Sequence, residues 1–189
     1  VTWLVAISGG LSTGIGFALK DIIENIYYGA SLMAGRIKVG DWIQVNDTMG
    51  KVRTINYTST VVDSLYGEVI TFQNSQLFKS NYKNLTRNHG YVLAVVPFGV
   101  AYGSNLKEVT KLVENAVTGM RHTWMDRSKE VKCVVSEMAD SSVNFKLFVW
   151  ADAPKKSYVV SDVLKCVYDT LYANGISIPF PQRDVHIVK

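Results

Sequence analysis

Uncharged residues fill the start of the chain, and the first charged residue is Lys20. As an α-helix, the stretch before it would extend roughly 28 Å, close to the ~30 Å hydrocarbon core of a bilayer. A second apolar, partly amphipathic helical pattern follows, and Arg36 and Lys38 then supply basic side chains of the kind that reach lipid headgroups. The pattern predicts a membrane helix with an interfacial segment over residues 1–36, kinked at Lys20–Asp21 or at Gly29.

The pattern changes to short strands over residues 37–88. Apolar and polar positions alternate in "DWIQV", "KVRTINYTSTVV" and "EVITFQ", and turn-forming residues separate these segments. Short strands at this spacing are typical of a small β-barrel or sandwich.

Residues 89–189 change pattern again. An apolar strand is followed by the helical segment "SNLKEVTKLVENAVTGM", with Ser104 or Asn105 as its N-cap. Two strands, "KCVVSEM" and "VNFKLFVWA", precede a second helix that ends at Asn174–Gly175, and "RDVHIV" is a final strand. The order β-α-β-β-α-β predicts an α+β, ferredoxin-like domain.

Composition narrows the chemistry without assigning it. The net charge is +4 with a sequence pI near 9.0, which suits an anionic membrane face but is too mild to require nucleic acid. The cysteines and histidines have no partners at ligand or catalytic spacing in the sequence. These residues are Cys133, Cys166, His89, His122 and His186. We therefore expect no bound metal, no cofactor and no catalytic site.

The glycines near the start allow an enzymatic alternative. Gly10, Gly14 and Gly16 form the Gly-x-x-x-Gly-x-Gly pattern of a short-chain dehydrogenase, in which a phosphate turn follows a strand. That fold also needs a second parallel strand ending in an acidic residue, and this enzyme class uses a Tyr-x-x-x-Lys pair, which the sequence lacks. Without that context, the glycine pattern is a weak indication of a nucleotide site.

The same residues make a different pattern on a helix. Small residues at four-residue spacing form two neighbouring stripes, which are Gly10, Gly14 and Ala18, and Ser8, Ser12 and Gly16. Such stripes let helices approach closely in lipid, and two of them suit a ring of identical helices. Gly9, Thr13 and Phe17 run between the stripes and would face the axis of the ring. A circle of phenylalanines there could close a pore by dewetting.

A third alternative is an RNA-binding module with an Sm-like fold. The short strands over residues 37–88 would allow it. The segment lacks a dense basic stripe interleaved with aromatic residues, and the uncharged start of the chain would have no purpose in such a module.

Two runs of sequence point to a known family. "GIGFALKDIIENIYYGASLMAGRIKVGDWIQV" resembles the pore helix and following β-domain of the mechanosensitive channel of small conductance, the MscS family. "ISIPFPQRDVHI" resembles that family's C-terminal signature, so the resemblance covers the whole chain. It implies a homo-heptamer in the inner (plasma) membrane with several membrane spans, of which the last lines the pore. An Sm-like β-domain and an α/β domain would form a cytoplasmic cage.

The resemblance also implies a function and its partners. The channel would open under membrane tension and release small ions and osmolytes with weak selectivity on hypo-osmotic shock. Its partners would be membrane lipids, further copies of itself and the permeating ions, with no nucleic acid. The family's two pore-constricting leucines fall on Thr13 and Phe17. Its small packing residues fall on Gly9, Gly10, Ser12, Gly14, Gly16 and Ala18.

The sequence departs from the family pattern at three positions. Thr13 replaces an apolar gate residue, so the hydrophobic seal would depend on Phe17. Asp21 stands where relatives often have the glycine that kinks the pore helix, which moves the expected kink toward Gly29. No proline precedes the turn expected at Asn74–Ser75, where only a local change is expected.

Overall fold

A computed structural model describes residues 2–87 and 89–183, and the chain divides into two compact units on either side of residue 88. The first unit begins with helix α1, Thr2–Ser31, which continues into a wider, π-helical turn, Leu32–Arg36. Gly35 has φ +111°, a backbone angle that side chains with a Cβ rarely adopt, so the helical path ends there.

The rest of the first unit is one antiparallel sheet with a short helix. Its elements are β1 (Trp42–Val45), β2 (Thr48–Ile55), β3 (Ser59–Ser64), β4 (Val69–Gln73), α2 (Asn74–Lys79) and β5 (Tyr82–Asn84). The strand order is β4-β3-β2-β1-β5, and we call the sheet with α2 the β-domain. Its core of alternating strand residues and Leu77 also takes in Leu32 and Ile37, so the end of the helix is part of the β-domain's core.

The second unit contains two helices and a three-stranded antiparallel sheet. Its elements are β6 (Tyr91–Val100), α3 (Leu106–Gly119), β7 (Lys132–Met138), β8 (Val143–Asp152) and α4 (Lys156–Ala173). The sheet order is β6-β8-β7, so β8, the last of the three strands along the chain, lies between the other two. These are the first five elements of the predicted β-α-β-β-α-β order. The predicted last strand is residues 183–188, and all of it after Arg183 lies outside the described residues.

The core of the second unit follows the sequence periodicity. Buried residues alternate along β8, and valines at helical spacing on α3 and α4 cover the same side of the sheet. Asn105 is the N-cap of α3, since its side chain accepts a hydrogen bond from the backbone of Glu108. Burial raises the pKa of Cys133 to about 12, so this thiol stays protonated and unreactive.

One histidine has a partner that sequence spacing does not reveal. His122 Nε2 lies 3.1 Å from Asp162 Oδ2, and the backbone N–H of Trp124 donates to His122 Nδ1 over 3.3 Å. Lys165 also donates to Asp162, over 2.9 Å, and these two hydrogen bonds, that of Lys165 first, lower the pKa of Asp162. The cluster joins the segment after α3 to α4. The expectation that the histidines lack carboxylate partners is therefore wrong for His122.

Candidate pore helix and its attachment to the β-domain

The apolar side chains in the first part of α1 are not buried by any other residue in the described part of the chain. Every side chain from residue 3 to residue 23 is exposed. The large apolar ones are Trp3, Leu4, Val5, Ile7, Leu11, Ile15, Phe17, Leu19, Ile22 and Ile23. By length and composition, the helical stretch Trp3–Arg36 could cross a membrane. A continuous apolar helix surface of this size requires cover from outside the chain.

Thr13 and Phe17 lie one turn apart on this exposed part, as the helical spacing requires. Phe17 is 74% exposed, the most of any large apolar side chain in the first part of α1. The Thr13 hydroxyl donates a 2.8 Å hydrogen bond to the carbonyl oxygen of Gly9. Because the hydroxyl donates its hydrogen to its own helix, it binds water less strongly than a free hydroxyl would. The Thr13 methyl group remains available for apolar contacts.

The predicted small residues also lie in the exposed part. These are Gly9, Gly10, Ser12, Gly14, Gly16 and Ala18. A Cβ atom added at any of the four glycines would meet no described atom within 4 Å. Each glycine costs about 1 kcal/mol in helix propensity relative to alanine. Since nothing in the described part of the chain uses the space they leave, these glycines favour close approach by another molecule.

The dehydrogenase alternative is wrong for these residues. Gly10, Gly14 and Gly16 lie inside α1, and the residues before them are helical rather than a strand. None of the three has the positive φ that a tight phosphate turn requires of its glycines.

The last turns of α1 are attached to the β-domain through Asn25. This side chain is only 8% exposed. Its Oδ1 atom accepts a 2.9 Å hydrogen bond from the backbone N–H of Ser75, at the start of α2. Its Nδ2 atom donates to the carbonyl oxygen of Asp21 over 2.8 Å. Asn25 therefore joins the helix to the β-domain through a backbone group.

Gly29 lies where α1 comes closest to the β-domain. A Cβ atom there would lie 2.5 Å from Asn74 Nδ2 and closer still to the carbonyl oxygen of Tyr57. Asn74 is fully buried, donates to the carbonyl oxygens of Asn56 and Tyr57, and accepts from the Thr60 hydroxyl. The glycine is therefore required by packing against a fully hydrogen-bonded asparagine.

Aromatic and charged contacts continue the attachment along α2. Glu24 forms an ion pair with Lys79. The rings of Tyr28 and Phe78 lie 4.5 Å apart, and the guanidinium of Arg36 lies 4.4 Å from the centre of the Phe78 ring. The hydrogen bond with Glu24 is the main cause of a raised pKa for Lys79.

The kink predicted in α1 stays a prediction at Lys20–Asp21 and at Gly29, where the backbone is helical. The helix is continuous through Lys20–Asp21 and through Gly29, and the first non-helical backbone angles occur at Gly35. Lys20 and Asp21 are exposed and belong to the first part of α1, a few residues before the attached part begins at Glu24. Gly29 is helical, and its lack of a side chain is required because the adjacent β-domain leaves no room for a Cβ atom. Arg36 and Lys38, predicted at the membrane interface, are exposed at the end of the helical path.

The sequence reasoning missed the residues that make the attachment. The turn expected at Asn74–Ser75 is the first turn of α2. One signal was available: Asn25 follows Glu24 inside a segment that is otherwise apolar or aromatic from residue 22 to residue 28. Its partner lies 50 residues away, and no local pattern indicates such a distance.

Two family models match the chain. One described as "Mechanosensitive ion channel, beta-domain" matches residues 21–87, which include the attached part of α1. One described as "Mechanosensitive ion channel MscS, C-terminal" matches residues 94–178. Together they account for more than half of the chain, and both describe a channel rather than an enzyme or an RNA-binding module.

Individual relatives agree with these matches. An uncharacterized MscS family protein of Archaeoglobus fulgidus is 29% identical over 186 residues, which is 95% of this chain and 63% of the relative. The small-conductance mechanosensitive channel of Edwardsiella ictaluri is 28% identical over 174 residues, which is 92% of this chain and 60% of that protein. The chain therefore spans less than two thirds of the length of these curated relatives.

Solved structures share the fold. The closed-state crystal structure of Helicobacter pylori MscS matches with a TM-score of 0.86 and 27% identity, over 100% of this chain and 74% of that one. A cryo-EM structure of Arabidopsis thaliana MSL1 matches with a TM-score of 0.74 at 15% identity, over 94% of this chain and 66% of that one. The family models, the relatives and the fold agree: the chain belongs to the MscS family of mechanosensitive ion channels.

Proposed function

We propose that this chain forms the pore and cytoplasmic part of a channel that membrane tension opens, releasing small ions and osmolytes with weak selectivity on hypo-osmotic shock. The observation that carries the proposal is the first part of α1, whose apolar and small side chains are all exposed. Such a helix is stable only when lipid and further copies of the chain cover it. Edwardsiella ictaluri has a small-conductance mechanosensitive channel similar to this chain, which supports the same activity here.

The proposed assembly is a homo-heptamer in the inner (plasma) membrane, with further membrane spans contributed by the rest of the protein. The helices α1 would surround the axis, and the β-domain and second unit would lie in the cytoplasm. The small-residue stripes would form the contacts between neighbouring helices, while Thr13 and Phe17 would face the pore. The ring of Phe17 side chains would hold the pore closed by excluding water.

Tension would open the pore because the open state occupies more membrane area. A stimulus shifts a two-state equilibrium only by its difference in free energy between the states, and tension supplies this through the area difference. Helices packed through glycine and alanine can slide past one another with little obstruction. The contacts of Asn25 and Gly29 would carry this movement into the β-domain, because they fix the last turns of α1 to it.

The deciding experiment is patch-clamp recording of the full-length protein in liposomes under stepped suction. We expect currents that rise with suction and are absent from protein-free liposomes. If the patches stay silent up to the tension that ruptures them, with the protein confirmed in the membrane, the proposed stimulus is wrong.

Phe17→Ser tests the position of the gate. A hydroxyl at the constriction lowers the cost of wetting it, so we expect a leaky channel that opens at clearly lower tension. Ile15→Ser is the matched control, because Ile15 lies on the opposite side of the helix from Thr13 and is also exposed in the single chain. Equal thresholds for the two variants would place the gate elsewhere.

A further inference from the structure

A small cationic cavity lies at the end of the helical path of α1. Its volume is about 210 Å³. The lining residues come from the end of the helical path, from the turn before β1, and from the end of β5 and the segment after it. They are Gly35, Arg36, Lys38, Asp41, Asn84, Thr86 and Arg87. A cavity of this size accommodates a small anionic group rather than a whole nucleotide, because sites for larger ligands start at about 300 Å³.

The polar frame of the cavity is fixed by hydrogen bonds. Asn84 Oδ1 accepts from the backbone N–H groups of Thr86 and Arg87, both over 3.1 Å. Asn84 Nδ2 donates to Asp41 Oδ2 over 2.8 Å, and the backbone N–H of Lys38 donates to the same oxygen over 3.0 Å. The single carboxylate of the cavity is therefore held by neutral donors, and the two lining segments are joined through it.

The cavity has more positive charge than its own carboxylate balances. Arg36, Lys38 and Arg87 face one carboxylate, Asp41. Within residues 2–87 and 89–183, no recorded ion pair involves any of the three cations. Cations near a helix C-terminus are favoured by the helix dipole, which accounts for Arg36 and Lys38. It does not account for Arg87, which the Asn84 turn brings to the same cavity from the segment after β5.

We propose that this cavity binds a phosphate group, from either an anionic lipid headgroup or a soluble phosphate compound. Guanidinium groups suit phosphate because their planar N–H donors match two of its oxygens, and Lys38 adds a point charge. Gly35 leaves open space at the rim, since a Cβ atom there would meet no described atom within 4 Å. The site requires neither tension nor an open pore, and only the lipid source depends on the proposed membrane location.

The test is thermal unfolding of the full-length protein in neutral detergent, followed by tryptophan fluorescence. Inorganic phosphate replaces chloride at constant ionic strength, and in a second series short-chain phosphatidylglycerol replaces phosphatidylcholine. A ligand that binds only the folded state raises the unfolding temperature with the logarithm of its concentration. The variants are Arg87→Gln and Lys38→Gln. Lys107→Gln is the control. Lys107 is exposed on α3 in the second unit, and this substitution removes the same charge as Lys38→Gln does.

We expect the wild type and Lys107→Gln to be stabilised equally. Loss of one cation near the bound phosphate should raise the ligand concentration needed for half-saturation by about fivefold in Arg87→Gln and in Lys38→Gln. A response to inorganic phosphate identifies a soluble ligand, whereas a response to phosphatidylglycerol alone identifies a headgroup. The proposal is overturned if the wild type responds to neither probe, or if all variants respond alike. Patch-clamp recording is independent of this result, so normal tension gating with no phosphate response would remove only the phosphate site.

Discussion

The two parts of α1 belong to one helix but differ in every other respect. From residue 3 to residue 23 all side chains are exposed, and the glycines there border open space. From Glu24 onward, the helix buries Asn25 and Gly29 against the β-domain and places Leu32 in its core. The first part has no contacts that would fix it to the rest of the described chain, whereas the second is fixed by hydrogen bonds, aromatic contacts and an ion pair.

Glycine shows what this difference means. In the exposed part, glycine leaves room for a neighbour outside the chain, while at Gly29 the neighbour is already present within it. The same residue type therefore serves assembly in one part and attachment in the other. If the first part moves during opening, the second is the part that would transmit the movement, because buried polar contacts resist separation.

The largest expected effect comes from enlarging Gly29. Gly29→Leu forces a side chain against Asn74 and the Tyr57 carbonyl, so we expect the free energy of unfolding to fall by about 3 kcal/mol or more. The matched variant Gly14→Leu meets no described atom within its own chain, so we expect it to lower the free energy of unfolding less than Gly29→Leu does. Denaturant unfolding of the full-length protein in detergent measures both.

Gly14→Leu should act on gating instead. A leucine in the small-residue stripe obstructs sliding between neighbouring helices, so we expect a raised tension threshold in patch-clamp recording. Equal destabilisation by the two leucine variants would contradict the distinction between the parts of α1. An unchanged threshold in Gly14→Leu would contradict the sliding mechanism.

The next largest effect comes from the buried asparagine of the β-domain. Asn74→Ala leaves the Thr60 hydroxyl and the carbonyl oxygens of Asn56 and Tyr57 without their partner, at a cost of about 2 kcal/mol.

Asn25→Ala removes one hydrogen bond to the β-domain and should cost about 1 kcal/mol. In this variant the Ser75 amide should exchange its hydrogen faster, as mass spectrometry would detect. Unchanged exchange would mean that Asn25 does not join the helix to the β-domain.

Local patterns predicted most of the fold. The uncharged run predicted helix from the start of the chain, and alternation predicted the strands of both units. Two helix boundaries are as predicted: Asn105 is the N-cap at the start of α3, and Gly175, with φ +66°, follows the end of α4. These features are set by neighbours in sequence, which is why periodicity and capping residues reveal them.

The attachment of α1 could not be predicted in the same way. The resemblance to the family predicted Thr13 and Phe17 as the constriction, and the kink predicted at Lys20–Asp21 or at Gly29 falls in helical backbone. The contacts of Asn25 with Ser75 and of Gly29 with Asn74 join residues far apart in the chain. A single sequence contains no period that relates such positions, so tertiary packing decided the role of Gly29.

The smallest expected effect comes from the ion pair at the edge of the attachment. The hydrogen bond from Lys79 to Glu24 raises the pKa of Lys79 above 10.5, so the pair stabilises the folded protein fully below pH 10.5. This contribution is lost as the pH rises through the folded-state pKa. We expect Lys79→Met to unfold at a slightly lower temperature than the wild type, by a constant amount from pH 7 to about pH 10, and the difference to shrink above that. Lys83→Met, which removes an exposed lysine of β5, is the control and should show no such pH dependence. A difference that already disappears by pH 8 would show that the pair does not hold the helix, leaving the buried asparagines, Gly29 and the aromatic contacts as the attachment.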